Sequence, residues 1–85
     1  MSQLEKARIR LASRPKDYTY TECCRFLGKL GFKEYPKGKT SGSRVKFFRQ
    51  SDGVMFLLHK PHPGDIMSPG AVDDLVKHLK EMGEL

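Results

Sequence analysis

The stretch Arg44-Val45-Lys46-Phe47-Phe48-Arg49-Gln50-Ser51-Asp52-Gly53-Val54-Met55-Phe56-Leu57-Leu58-His59 decides how this chain folds. Two apolar-rich runs, 44–49 and 54–59, flank Gln50-Ser51-Asp52-Gly53, and the Asp-Gly pair supplies the positive backbone dihedral that a hairpin turn requires. Two antiparallel strands joined by a tight turn are expected. Each run carries apolar residues on both parities: Val45 and Phe47 against Phe48 in the first, and Val54, Phe56 and Leu58 against Met55 and Leu57 in the second. Alternation therefore leaves open which side of the hairpin is buried. Upstream, Phe32 to Tyr35 is a further strand candidate, joined to the hairpin through Pro36 to Gly42, a connection rich in Gly, Lys and Ser that is unsuited to a core.

Helical signals flank this sheet. Ser2 followed by Glu5 opens a capped amphipathic helix over residues 3–12, with Leu4, Ala7, Arg8 and Leu11 at helical spacing and Pro15 beyond its end. Thr19 and Glu22 form a second capping box, followed by Tyr20, Cys23, Cys24, Leu27 and Leu30 on one face, and Gly31 is the natural left-handed cap. After the sheet, Lys60 to Ser68 reads as a loop, because Pro61, Pro63 and Gly64 disfavour both regular states. Ser68 then caps a helix with Pro69 in its first turn, where the missing donor costs nothing. Val72, Leu75, Val76, Leu79 and Met82 form its apolar stripe, and Gly83 closes it. Asp73 and Asp74 near its start and Lys77, His78 and Lys80 near its end complement the helix dipole.

The order helix, helix, three-stranded meander, helix describes an α+β sandwich, an antiparallel sheet with helices on one face. At 85 residues the chain is one domain, 1–85, with a helical extension over 1–16 and a core over 19–85. It contains no apolar run long enough for a membrane helix and no secretory leader pattern, so a soluble cytoplasmic protein without a membrane partner is expected. Adjacent Cys23 and Cys24 close no useful loop and match no zinc or redox spacing, so both read as small buried apolar residues. Phosphate-loop and His-Glu-x-x-His patterns are missing as well, and neither a metal nor a cofactor is expected.

Charge is more informative. The formal net charge is +6, and Arg25 to Arg49 holds eight basic residues against the single acid Glu34, a local +7 that leaves −1 for the rest of the chain. Segregated positive charge is the footprint of a polyanion binder, since each phosphate contact releases condensed counterions, although a solvated face serving solubility has the same composition.

Without its first helix, the element order resembles the αβββα arrangement of double-stranded-RNA-binding domains. The motifs narrow this: Leu30-Gly31-Phe32 after the capped helix, Gly42-Ser43-Arg44 opening the second strand ahead of Val45-Lys46-Phe47, His62 after the third strand, and Gly70-Ala71-Val72 opening the last helix. Over Thr19 to Leu85 the chain resembles the HicA family, toxins of bacterial toxin–antitoxin pairs. The resemblance implies an RNA-binding ribonuclease that cleaves messenger RNA and is neutralised by a HicB-like antitoxin protein.

One departure falls on the chemistry. The family motif at the second strand is Gly-Ser-His, its histidine carrying the catalysis, and here that position is Arg44. Metal-independent RNA cleavage needs a base for the 2′-OH proton and an acid for the leaving 5′ oxygen, tasks suited to imidazole. Arginine stays protonated: it stabilises phosphorane-like charge and is a poor base. The expected catalytic pair is Arg44, clamping phosphate, with His62 as acid or base. The expected RNA-binding residues are Lys37, Lys39, Lys46, Arg49 and Lys60. His59, at a strand end, reads as a satisfied or partly buried imidazole, and His78 as a helix-dipole partner. Phe48, sharing a parity with Arg44 and Lys46, is either a core residue or a stacking platform, with the core reading favoured. The rival readings are a catalytically weak or inactive RNA- or DNA-binding module and a protein-interaction domain.

Overall fold

The computed structural model describes residues 2–36, 44–61 and 64–85. Helix α1 (Gln3–Ala12) and helix α2 (Tyr20–Lys29) precede strands β1 (Phe32–Pro36), β2 (Arg44–Arg49) and β3 (Val54–His59), and helix α3 (Pro69–Glu81) closes the chain. The sheet is an antiparallel meander in the order β1-β2-β3, so the α+β sandwich with a dsRBD-like αβββα core and an added N-terminal helix is the observed fold.

Local chemistry sets the element boundaries as expected. Ser2, Thr19 and Ser68 each accept a bond from the backbone N–H three residues on, at 3.1, 3.1 and 3.2 Å, and Glu22 returns the Thr19 bond to complete the capping box. Gly31 ends α2 at φ 95°, a left-handed conformation that favours glycine, and a methyl group there would also press within 3.3 Å of the Arg49 side chain.

The pleat resolves the ambiguity left by the hairpin. Val45 and Phe47 on β2, Phe56 and Leu58 on β3 and Phe32 on β1 are buried beneath the helices. Phe47 stacks on Phe56 at 5.7 Å between centroids, Phe32 meets Phe56 edge-on at 5.2 Å, and Tyr20 of α2 tilts against Phe47 at 6.3 Å. His78 of α3 stacks on Phe56 at 5.1 Å, so it belongs to the helix–sheet contact as well as to the basic end of its helix. Phe48 points the other way and is partly exposed, a correction to the favoured core reading. Since side chains alternate along a strand, burying Phe47 excludes its neighbour from the same layer.

Three further features correct the sequence reading. The inward face of α2 is Tyr20, Cys23, Phe26 and Leu27, with Cys24 and Leu30 only partly covered, because the helix packs against both α1 and the sheet. Cys24 therefore lies at the margin, its thiol donating to Glu34 of β1 at 3.4 Å. The segment leading into α3 is also more than a loop. Thr19 and Ile66 form an antiparallel bridge, with the Tyr20 N–H donating to the Asp65 carbonyl at 2.7 Å and the Met67 N–H to the Tyr18 carbonyl at 2.8 Å. This pairing delivers Tyr18 and Met67, both 2% exposed, into the core. Helix α1 docks there too, burying Leu11 completely and forming Arg10–Glu22 and Arg8–Glu84 ion pairs.

Arg49, last residue of β2, ties several elements together. Its guanidinium donates to Asp52 of the turn (2.7 Å), Glu84 at the C-terminus (2.8 Å) and the Leu30 carbonyl at the end of α2 (3.1 Å), and lies 4.8 Å over the Phe32 ring. Only 12% of the side chain is exposed. The hydrogen bonds from Arg49 hold the Asp52 carboxyl below its ordinary range, against a weaker opposing effect of desolvation.

The face assignment is checked by a pair of adjacent substitutions. Phe47→Ala is expected to cost about 3–5 kcal/mol in urea unfolding, whereas Phe48→Ala changes stability by less than about 1 kcal/mol. For Arg49→Ala, loss of the charged hydrogen bonds to Glu84 and Asp52 is expected to lower stability by about 2 kcal/mol. Because Asp52 is depressed in the folded state, its stabilising effect is complete above the unfolded value near pH 4 and disappears as pH falls through the folded value. Urea midpoints measured against pH are expected to fall below about pH 4, and Asp52→Asn to flatten that fall.

Candidate nucleic-acid interface

With one sheet face under the helices, the opposite face is set by register. Lys33 and Tyr35 of β1 lie opposite Phe48 and Lys46 of β2, and Arg44, Lys46 and Phe48 lie opposite His59, Leu57 and Met55 of β3. Directly opposed residues share a face. The open face therefore presents Lys33, Arg44 and Lys46 as cations, Tyr35 and Phe48 as aromatics and His59 as an imidazole, with Met55 and Leu57 along the β3 edge. No described carboxylate shares it.

Two contacts organise its centre. Tyr35 and Phe48 meet edge to face at 6.4 Å, and the Lys46 ammonium lies 5.8 Å from the Tyr35 ring centroid. The pair is packed enough to be held and exposed enough to be used, Tyr35 being 44% accessible. Among the described residues every ion pair lies elsewhere, on the helices, the C-terminal segment or the β2–β3 turn. The arginines Arg8, Arg10, Arg14 and Arg49 are thus matched by carboxylates, whereas the cations of the open sheet are not.

The residues singled out in the sequence divide accordingly. Arg44 and Lys46 stand on the open face, one pleat repeat apart. Lys60 follows β3 and reaches back to within 5.7 Å of the Tyr20 ring, beside a concavity that it shares with Lys16, His59, Ile66 and Pro69. Arg49 lies on the packed side with its guanidinium held by two carboxylates and a carbonyl, so it does not join the other cations. Lys37, Lys39 and His62 lie outside the described residues.

His59 was passed over in the sequence. It is exposed, its side chain has no hydrogen-bond partner among the described residues, and its cross-strand partner is Arg44. The signal was present: a hairpin closed between Arg49 and Val54 counts back in opposite directions to Arg44 and His59. Tyr35 and Lys33 had no such signal, because the long β1–β2 connection leaves the register of that pair undetermined.

Such a surface can grip a phosphate backbone and stack unpaired bases. Arg44 offers a planar fork to phosphate oxygens, Lys33 and Lys46 add charge without imposing geometry, and Tyr35 and Phe48 offer rings to splayed bases. The cysteines contribute no nucleophile: burial, helped by the Glu34 hydrogen bond, pushes the Cys24 thiol up to about 11, and burial raises Cys23 further. No described helix is long and apolar enough to cross a membrane.

Comparison with known proteins bears on the whole arrangement. No curated protein and no solved structure matches the chain significantly. Residues 20–83 match the family model described as the HicA toxin of bacterial toxin–antitoxin systems, a span that runs from the first residue of α2 to the glycine closing α3. With the helix–meander–helix core formed by those same residues, the chain belongs to the HicA toxin family.

Proposed function

We propose that this protein is a cytoplasmic ribonuclease toxin that cleaves single-stranded regions of messenger RNA without a metal and is held inactive by a HicB-like antitoxin covering the open sheet face. The observation that supports this reading is the uncompensated cationic and aromatic surface formed by Lys33, Tyr35, Arg44, Lys46 and Phe48. Bases in a duplex are stacked and closed to a flat sheet, whereas unpaired bases can lie on exposed rings while lysines track the backbone. Lys60 adds a cation just beyond β3, Lys37 and Lys39 are assigned to phosphate holding from their place in the basic stretch of the sequence alone, and Arg49 is left to the fold.

In this reading Arg44 neutralises the charge that builds on the scissile phosphate, and His62 takes or gives the proton, as the family resemblance implies. An antitoxin able to cover the same face needs carboxylates opposite Arg44 and Lys46 and apolar groups opposite Met55 and Leu57, the first 54% exposed. The arginine at the family's histidine position favours one second reading, a module that holds RNA and cuts it poorly or not at all.

Incubation of labelled messenger RNA with the purified protein in excess chelator separates the two. The ribonuclease reading expects cleavage by wild type, a drop of about 100-fold or more for Arg44→Ala, and loss in His62→Ala. Salt-dependent RNA binding without cleavage, with activity appearing only in Arg44→His, would establish the binding module instead.

A further inference from the structure

The hairpin register brings one imidazole to the arginine that replaces the family histidine. Arg44 opens β2 and His59 ends β3 as directly opposed residues, a position in which side-chain origins lie about 5 Å apart on the same face. Both are exposed, and among the described residues neither has a hydrogen-bond or ion-pair partner. His78, by contrast, is stacked on Phe56 inside the helix–sheet contact. Beside His59 lies a concavity of about 430 Å³ that also receives Lys16 and Lys60. Cationic side chains therefore surround an accessible imidazole, Arg44 across the strand pair and Lys16 and Lys60 around the concavity that His59 lines.

We infer that His59 is a catalytic residue, the base that takes the 2′-OH proton from the nucleotide whose phosphate Arg44 holds. The inference rests on the ribonuclease reading and supplies the group that Arg44 itself cannot be. A phosphate gripped by the guanidinium lies within one cross-strand spacing of the imidazole, the separation that an adjacent ribose hydroxyl spans. The His59 ring nitrogen accepts the 2′-OH proton as O2′ attacks phosphorus. The P–O2′ bond forms and the P–O5′ bond breaks. The departing 5′ oxygen takes its proton from the general acid, the role that the proposed function leaves to His62, and that acid recovers a proton from His59 through solvent. The products are a 2′,3′-cyclic phosphate and a 5′-hydroxyl. On this assignment the catalytic function has moved one strand sideways, from β2 to β3, while the phosphate clamp occupies the position it left.

The test compares wild type, His59→Ala, His59→Asn and Arg44→Ala on a labelled single-stranded RNA, with RNA affinity measured by fluorescence anisotropy and folding by circular dichroism. His59 is exposed at a strand end, and both of its variants are expected to fold. The expected result is a loss of about 100-fold or more in cleavage rate for the two His59 variants at nearly unchanged affinity. Added free imidazole is expected to restore cleavage by His59→Ala and not by Arg44→Ala, and a 2′-deoxy residue at the cleavage site to abolish the reaction. His59 variants that cut as fast as wild type overturn the inference and leave the ribonuclease reading standing. So does slowing that merely follows weakened binding, which would make His59 an RNA-holding residue. Wild-type protein that binds RNA without cutting it removes the ribonuclease reading, and the inference with it.

Discussion

Strand β2 is paired on both edges, and its two-residue pleat is the constraint on which the other features depend. Val45, Phe47 and Arg49 go under the helices because Phe47 fits between Phe56 and Tyr20. Arg44, Lys46 and Phe48 must then face outward. A slip of one residue would place two cations in the core and bring Phe47 into water, so register is held by a large free-energy difference in a strand whose apolar residues occupy both parities. Arg49 reinforces the choice from the packed side. It ends the inward row, and its guanidinium finds the turn, the C-terminus and the end of α2 within hydrogen-bonding distance.

The same alternation sorts the charges. On the helical side, arginines of α1 and its following turn meet Glu22, Asp17, Asp73 and Glu84, so their fields are largely cancelled locally. Surface pairs of this kind add little to stability, but they leave Lys33, Arg44 and Lys46 on the sheet without a carboxylate partner. Phosphate recognition profits from such segregation, because an unpaired cation gains the whole interaction with an incoming anion and need not first abandon a carboxylate. Exposed rings at the centre of the cationic area add a contact that unpaired bases make and that a duplex does not.

Helix α1 lies before the residues matched by the family model, yet it is part of the packed structure. Leu11 is fully buried, and Leu4 and Ala7 lie against the core. A domain this small buries limited apolar surface, and a third helix packed against α2 and α3 enlarges its core without touching the open face. Sequence outside the common core can therefore change stability while leaving the open sheet face to the meander.

By itself the sequence determined the elements and their ends, because capping hydroxyls, the Asp-Gly turn, Gly31, Pro69 and helical spacing act within a few residues of one another. It also marked the charge excess. The arrangement of Arg44 beside His59 was implicit in the four-residue turn from Gln50 to Gly53, since hairpin closure sets the pairing along both strands. Tertiary structure alone decided which face of β2 is buried, because Phe47 and Phe48 are the same side chain and only the helices above distinguish them. It alone withdrew Arg49 from the other cations, through partners at Leu30 and Glu84 that lie 19 and 35 residues away. It alone brought Tyr18 and Met67 into the core, through a bridge between two segments with no strand signal of their own. Those outcomes depend on contacts between residues far apart in the chain, and no local pattern encodes which distant partner a side chain will meet.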